Sequence, residues 1–112
     1  MYSVTIYYWF HYGPSHADQV LFSKEIQLPF PPSIGIALDI NDVVIDLSPE
    51  NFARLHITYA LSTNTFTIEI GNYKTIPGRE ESIERIHSLL EDAGFQADKK
   101  SIEQALKTLK AR

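Results

Sequence analysis

Residues 2–12, with the sequence YSVTIYYWFHY, alternate between two sets of side chains and constrain how the rest of the chain can fold. Side chains along a β-strand point to opposite faces with a period of two, so this alternation predicts a long strand with two different faces. The first set is expected to point into a core and consists of Tyr2, Val4, Ile6, Tyr8 and Phe10. The second set is expected to point outward and consists of Ser3, Thr5, Tyr7, Trp9 and His11.

Further along the chain, two segments predict β-hairpins with defined registers. The first closes at a two-residue turn, Asn41-Asp42, whose residue types suit the positive φ angles that such turns need. The second closes around residues 62–65. These registers place apolar residues opposite one another: Ile40 with Val43 and Leu38 with Ile45 in the first hairpin, and Leu61 with Phe66, Tyr59 with Ile68 and Ile57 with Ile70 in the second.

Beyond Pro77-Gly78 the apolar residues take helical spacing, which predicts helices over about residues 79–93 and 99–111. Gly94 is expected to end the first helix in the left-handed conformation. Either Asp98 or Ser101 is expected to cap the second helix. Because only about four residues connect them, the two helices are predicted to form an antiparallel helical hairpin.

Together these patterns predict one α+β domain over residues 1–112. About six strands, all within residues 1–76, are expected to form a mainly antiparallel sheet, most simply a β-meander. The C-terminal αα-hairpin is expected to pack on one face of that sheet and to leave the other face toward solvent.

The composition excludes several classes of function. The chain has no cysteine, which rules out disulfides and thiolate metal sites. Its 14 acidic and 10 basic residues give a net charge of −4, and an acidic first 78 residues disfavour nucleic-acid binding. No apolar run approaches the ~20 residues that span a bilayer, and residues 1–10 lack the pattern of a secretory leader. We therefore predict no membrane association, with a cytoplasmic location as the default expectation.

The outward row Tyr7, Trp9 and His11 is the best candidate for a functional surface. Aromatic side chains bury much area with few rotatable bonds, and for that reason protein contact surfaces are rich in them. The alternative interpretation is that the loop from Tyr12 to Gln19, or Phe30 with its flanking prolines, folds over this row as a minor core.

A second candidate is the pair Asp39 and Asp46, which the hairpin register places on one outward face. Paired carboxylates perform acid–base chemistry only where one of them is desolvated, and the sequence predicts no cleft around this pair. No nucleophile motif and no glycine-rich phosphate loop is present. We therefore predict that the chain is not an enzyme, and interpret the pair as an acidic docking patch or as a solvated face that opposes aggregation.

His11, His16 and Asp18 are the candidate metal ligands, since imidazole and carboxylate groups suit zinc. Their spacing matches no metalloprotease or zinc-finger signature. The prediction is accordingly no metal and no cofactor, with the two histidines at a strand end and in a loop, both in contact with water.

Three functional hypotheses remain open. The first is a non-catalytic protein-binding module, of the inhibitor, immunity-protein or adaptor kind, that binds another protein through Tyr7, Trp9, His11, Asp39 and Asp46, with its acidity favouring a basic partner. The second is a small-ligand or metal-binding protein with a cavity between sheet and helices, to which Tyr8, Tyr59 and Tyr73 contribute hydroxyls. The third is a subunit of a homo-oligomer or larger assembly that docks through an edge strand, for which the long, aromatic first strand is the candidate.

Overall fold

The computed structural model describes residues 1–72 and 75–112, which form a five-stranded sheet, a separate two-stranded sheet and two helices. In chain order the elements are β1 (Tyr2–His11), β2 (Gln19–Leu28), β3 (Ala37–Ile40), β4 (Val43–Asp46), β5 (Phe52–Ala60), β6 (Thr65–Asn72), α1 (Glu80–Asp92), β7 (Gln96–Ala97) and α2 (Lys99–Lys110). The predicted α+β class is confirmed: the sheet is mainly antiparallel and the two C-terminal helices pack on it. No helix in the described ranges is long and apolar enough to cross a membrane.

The strand order of the larger sheet is β5-β6-β1-β2-β7, which differs from that of a simple meander. β1 is antiparallel to β2 and parallel to β6, so it lies in the middle of the sheet with both of its edges hydrogen-bonded. β1 is therefore not the sheet edge that the sequence suggested, and assembly through an edge strand stays a prediction for another strand. A parallel neighbour requires a long crossover connection, and local alternation in the sequence gives no information about such a pairing.

The hairpin β3–β4 lies outside the larger sheet because the chain must pass from β2, near one edge, to β5 at the other. It covers the inner face of the sheet, and its alternate residues Leu38, Ile40, Ile45 and Leu47 enter the same core as Val4, Ile6, Phe22 and Ile68. Its predicted register is confirmed, with Ile40 opposite Val43. Asn41 and Asp42 have φ angles of 49° and 73°, as the two-residue turn requires.

The hairpin β5–β6 has the predicted apolar face but not the predicted register. Tyr59 lies opposite Phe66 and Ile57 opposite Ile68, a displacement of two residues from the predicted pairing. The turn instead spans residues 61–64, where Asn64 has a φ of 58° and donates its backbone N–H to the Ala60 carbonyl at 2.8 Å. Because the side-chain period of a strand is two, a two-residue shift keeps every side chain on its predicted face.

Both helices lie close to their predicted bounds. Gly94 has a φ of 91°, and the Phe95 N–H donates to the Leu90 carbonyl at 2.9 Å, which is the expected Schellman ending of α1. Asp98 is the N-cap of α2. The described residues include two ion pairs, His87–Glu91 and Asp18–Arg112, and neither joins α1 to α2. Burial of apolar side chains, namely Ile83, Leu90, Ile102 and Ala105, therefore holds the helices in place rather than ion pairs between them.

The position of a residue relative to the core predicts that the same substitution, isoleucine to alanine, has very different effects on stability at two sites. Ile68 in β6 is fully buried, whereas Ile34 is 54% exposed. Ile68→Ala should lower the free energy of unfolding by about 2–5 kcal/mol, because the lost apolar burial is compounded by a cavity. Ile34→Ala should change it by less than about 0.5 kcal/mol. Urea denaturation of both variants tests this, and equal effects would contradict the assignment of the core.

Candidate functional site

The outer face of the larger sheet, defined as the side away from the helices and from β3–β4, is organised in rows that run across the strands. Its side chains alternate with the core residues along each strand. The rows, read from β5 through β6 and β1 to β2, are Arg54-Gly71-Trp9-Leu21, His56-Glu69-Tyr7-Ser23, Thr58-Thr67-Thr5-Glu25 and Ala60-Thr65-Ser3-Gln27. Every side chain in these rows is half-buried or exposed, whereas the inner face holds fully buried side chains such as Val4, Ile6 and Ile68.

Trp9 occupies the middle of this face. Gly71 lies directly beside it on β6, and Arg54 lies beside Gly71 on β5. A side chain at position 71 would begin 3.5 Å from the Arg54 Cβ and 3.7 Å from the Trp9 Cβ, so the glycine leaves a gap between the two. The Arg54 guanidinium extends across this gap and lies 5.3 Å from the centre of the Trp9 ring, within the range of a cation–π interaction.

His11 extends the aromatic row toward the end of β1, where its neighbour on β2 is Gln19. Partial burial lowers the pKa of His11, and the positive charges of Arg54 and His16 lower it further. The neutral imidazole is therefore favoured. The backbone carbonyl of His11 accepts a hydrogen bond from Ile76 at 2.8 Å, which holds the segment after β6 against the strand end.

Two polar atoms on this face are buried and have no hydrogen-bond partner in the described part of the chain. They are the Trp9 Nε1, a donor, and the Gln19 Oε1, an acceptor. Buried polar groups without partners are uncommon in folded proteins because each costs about 1–3 kcal/mol. Their presence beside half-exposed Trp9 and His11 marks this region as the least satisfied part of the sheet.

The structure places the predicted residues Tyr7, Trp9 and His11 one after another along the outer face of β1, as the alternation of this strand required. All three side chains are half-buried, so they are neither fully exposed to solvent nor fully covered as in a minor core. Phe30 does not cover them: it lines a groove between β2 and β3 with Ile26 and Leu38, on the inner side.

Sequence reasoning missed Arg54, Gly71 and Gln19. The parity of β5 was a usable signal for Arg54, since this residue shares its face with His56 and Thr58. No local signal places Gly71 beside Trp9, because that contact depends on the parallel pairing of β1 with β6.

Asp39 and Asp46 are both exposed and lie diagonally across β3–β4, as predicted. The other face of this hairpin is packed into the core beneath the inner face of the sheet. The acidic pair and the aromatic row therefore lie on opposite sides of the molecule. The surrounding exposure provides no desolvation of the kind that carboxylate catalysis needs.

The three candidate metal ligands are not assembled into a site. Asp18 is buried, and its Oδ2 accepts a hydrogen bond from Arg112 Nη2 at 2.9 Å. His11 is on the outer face, and His16 is exposed in the β1–β2 loop. Among residues 1–72 and 75–112, no group of three or more potential ligands is close enough to hold a metal ion.

The proposed tyrosine-lined cavity between sheet and helices is not formed by the two tyrosines that can be placed. Tyr8 stacks on Phe10 and donates to Asn72 Oδ1 at 3.3 Å, and Tyr59 is 41% exposed with its hydroxyl on Asn64. Tyr73 lies outside the described residues. A groove of about 570 Å³ lies between α1, β7 and α2, where Phe95 and Ile102 line it.

The chain matches no protein-family model, no curated protein and no solved structure. Its function must therefore be inferred from the surfaces of the molecule and from their chemistry.

Trp9 is the sole tryptophan of the chain, so its fluorescence reports directly on the outer face. Because the Arg54 guanidinium covers one side of the indole ring, Arg54→Ala should make Trp9 more accessible. We expect acrylamide to quench the fluorescence of this variant more strongly than that of the unmodified protein. Arg85→Ala, which alters an exposed residue of α1, is the matched control and should leave quenching unchanged.

His11 predicts a specific pH dependence of stability. Because its pKa is lowered on folding, the unfolded chain binds more protons than the folded chain just below the ordinary histidine pKa of about 6.5. The free energy of unfolding should therefore fall as the pH drops below about 6.5, and His11→Gln should reduce that decrease. Urea denaturation at a series of pH values measures the difference between the two proteins.

An NMR titration of the same imidazole separates the causes of the shift. Arg54→Ala removes one of the two neighbouring positive charges, so the pKa of His11 should rise toward its ordinary value. Arg85→Ala again serves as the control. An unchanged His11 pKa in Arg54→Ala would show that the guanidinium does not act on the imidazole.

Proposed function

We propose that this protein is a non-catalytic protein-binding module whose docking surface is the outer face of the sheet, centred on Trp9. The observation that supports this most directly is the incomplete burial of every side chain on that face, including those of the central strands β1 and β6. A mainly antiparallel sheet commonly leaves one face to solvent, but that face is ordinarily polar rather than aromatic. Here the described residues contribute no second layer over Tyr7 and Trp9.

The composition of the centre also supports a protein partner. Tryptophan, tyrosine and arginine are the residues that most often dominate the energy of protein interfaces, and Trp9, Tyr7 and Arg54 lie in adjacent rows. The neighbouring positions, such as Thr67, Thr5 and Ser23, are small and polar. They form a shallow rim around the large side chains, an arrangement typical of a contact surface.

The charge of this surface indicates which partner groups it accepts. Arg54 forms no ion pair within 4 Å among the described residues, and the neutral imidazole of His11 adds a hydrogen-bonding group on the same face. A carboxylate or a row of backbone carbonyls on the partner would complement these donors. The basic partner expected from Asp39 and Asp46 belongs to a separate proposal, since a partner of ordinary footprint does not reach both sides of the molecule.

This proposal includes a cytoplasmic location and the absence of catalysis, in the manner of an inhibitor, an immunity protein or an adaptor. The second candidate function, small-ligand binding, is favoured by one observation, the groove between α1, β7 and α2 with its apolar floor at Phe95 and Ile102. The groove is open to solvent and its polar rim includes the paired side chains His87 and Glu91. It ranks below the outer face because it buries little of any ligand.

Paired variants test the docking surface against the acidic patch. Immobilised protein is used to capture binding proteins from the source cells, and any captured protein is purified and its affinity measured. Tyr7→Ala with Trp9→Ala should weaken that affinity by roughly 30-fold to 1000-fold, as expected for the loss of about 2–4 kcal/mol at an interface centre. Asp39→Asn with Asp46→Asn is the matched control and should leave the affinity within about twofold.

The outcomes distinguish the alternatives. Circular dichroism must show that both double variants are folded. Loss of binding in the aspartate variant alone would replace this proposal with the acidic patch and its basic partner. A native mass spectrum that carries an added small mass, with no captured protein, would favour the ligand groove instead.

A further inference from the structure

The described part of the chain covers part of one edge of the larger sheet and leaves the other edge without a neighbouring strand. At the β2 edge, the Leu21 N–H donates to Ser101 Oγ at 3.1 Å and the Leu21 carbonyl accepts from the Asp98 N–H at 2.9 Å. The short strand β7 covers the next positions of that edge. At the opposite end the sheet order stops at β5, and the described residues supply no strand beyond it. An uncovered edge of this length is a template for pairing with another chain.

We propose that the free edge of β5 pairs with the same edge of a second copy of this chain, in antiparallel orientation about a two-fold axis at Ile57. The direction of the backbone groups of β5 leads to this centre. The Ala60 carbonyl accepts a hydrogen bond from Asn64 in the turn to β6, so residues of its parity direct their N–H and C=O groups toward β6. Leu55, Ile57 and Tyr59, of the other parity, direct theirs outward.

A pairing centred on Ile57 uses all of these outward groups. Ile57 faces its own copy, and Leu55 faces Tyr59 of the second molecule on each side of the axis. Each hydrogen-bonded pair of an antiparallel ladder exchanges two bonds, which gives about six new interchain bonds. The side chains of the same three residues meet on the inner face, where Leu55 and Ile57 are half-buried and Tyr59 is 41% exposed in the single chain.

The charges of β5 are compatible with this register and disfavour the one centred on Leu55. β5 contains no acidic residue, and its basic residues are Arg54 and His56. With the axis at Ile57, Arg54 faces Ala60 and His56 faces Thr58, so no like charges are opposed. Moving the axis to Leu55 would place Arg54 opposite His56 in both halves of the interface, which is unfavourable when the histidine is protonated.

This dimer does not depend on the proposed docking surface. The two-fold axis of such a pairing is perpendicular to the sheet, because directly opposed residues project on the same side. Both outer faces therefore remain open on one side of a continuous ten-stranded sheet, the doubled five strands of each copy. The dimer presents two Trp9-centred surfaces to a partner, and binding to a partner with two sites gains from avidity.

The dimer is tested by sedimentation velocity of the purified full chain at concentrations from about 1 to 200 µM, which measures the mass of the particle in solution. The unmodified protein should reach twice the chain mass in this range. Ile57→Lys should remain monomeric, since it opposes two ammonium groups at the axis, and Ile57→Glu should do the same. An equimolar mixture of these two variants should restore the dimer, because each lysine then faces a glutamate.

Single-cysteine variants test the register, and the chain offers a clean background because it has no cysteine of its own. Ile57→Cys should form a disulfide-linked dimer under mild oxidation, since opposed residues have Cα atoms about 5.5 Å apart. Thr58→Cys is the matched control, because its counterpart across the edge is His56 and the two introduced thiols lie too far apart to bridge.

A monomer at every concentration, or a dimer that Ile57→Lys leaves intact, would overturn the proposal. So would equal cross-linking of the two cysteine variants. Circular dichroism of Ile57→Lys shows whether the variant is folded, and recovery in the mixture keeps the test decisive if its stability is reduced. The fluorescence of Trp9 should be the same in monomer and dimer, which separates this interface from the outer face.

Discussion

The central position of β1 is the constraint on which the remainder of the structure depends. β1 pairs in antiparallel fashion with β2 and in parallel fashion with β6, so its backbone is satisfied on both sides. The parallel neighbour obliges the chain to cross from one half of the sheet to the other. That crossover contains β3–β4, and its apolar residues close one end of the core. One pairing therefore determines both the sheet order and part of the layer that covers it.

The same constraint produces the exposed aromatic row. A central strand with apolar residues on its inner face must direct its alternate residues to the other side, and in β1 these include Tyr7 and Trp9. Arg54 reaches Trp9 because Gly71 leaves the space between them empty. A cation–π contact of this kind is worth about 0.5–1 kcal/mol at an exposed site, less than full burial of a tryptophan would provide. The outer face therefore retains apolar area that the described residues do not bury.

The candidate contact surfaces lie in different parts of the molecule. Tyr7, Trp9 and Arg54 lie on the outer face, the acidic pair Asp39 and Asp46 lies on the opposite side, and the free backbone edge lies at β5. Ser101 and β7 cover the β2 edge at residues 21–23, whereas no described strand lies beyond β5. Because these surfaces do not overlap, a partner protein on the outer face and a second copy at the β5 edge can bind at the same time.

The sequence by itself determined the local structure and the side-chain faces. Alternation placed Tyr7, Trp9 and His11 in one row, the turn at Asn41-Asp42 determined the register of β3–β4, and Gly94 determined the end of α1, since each depends on neighbours within a few residues. The register of β5–β6 was displaced by two residues because the turn is set by the left-handed Asn64, while the alternation that determines the face is the same in both registers. Only the tertiary structure decided that β1 is central, that Gly71 and Arg54 lie beside Trp9, and that the free edge belongs to β5. These features arise from pairing between segments far apart in the chain, and the energy of such pairing lies in the joint burial of both faces rather than in any local pattern.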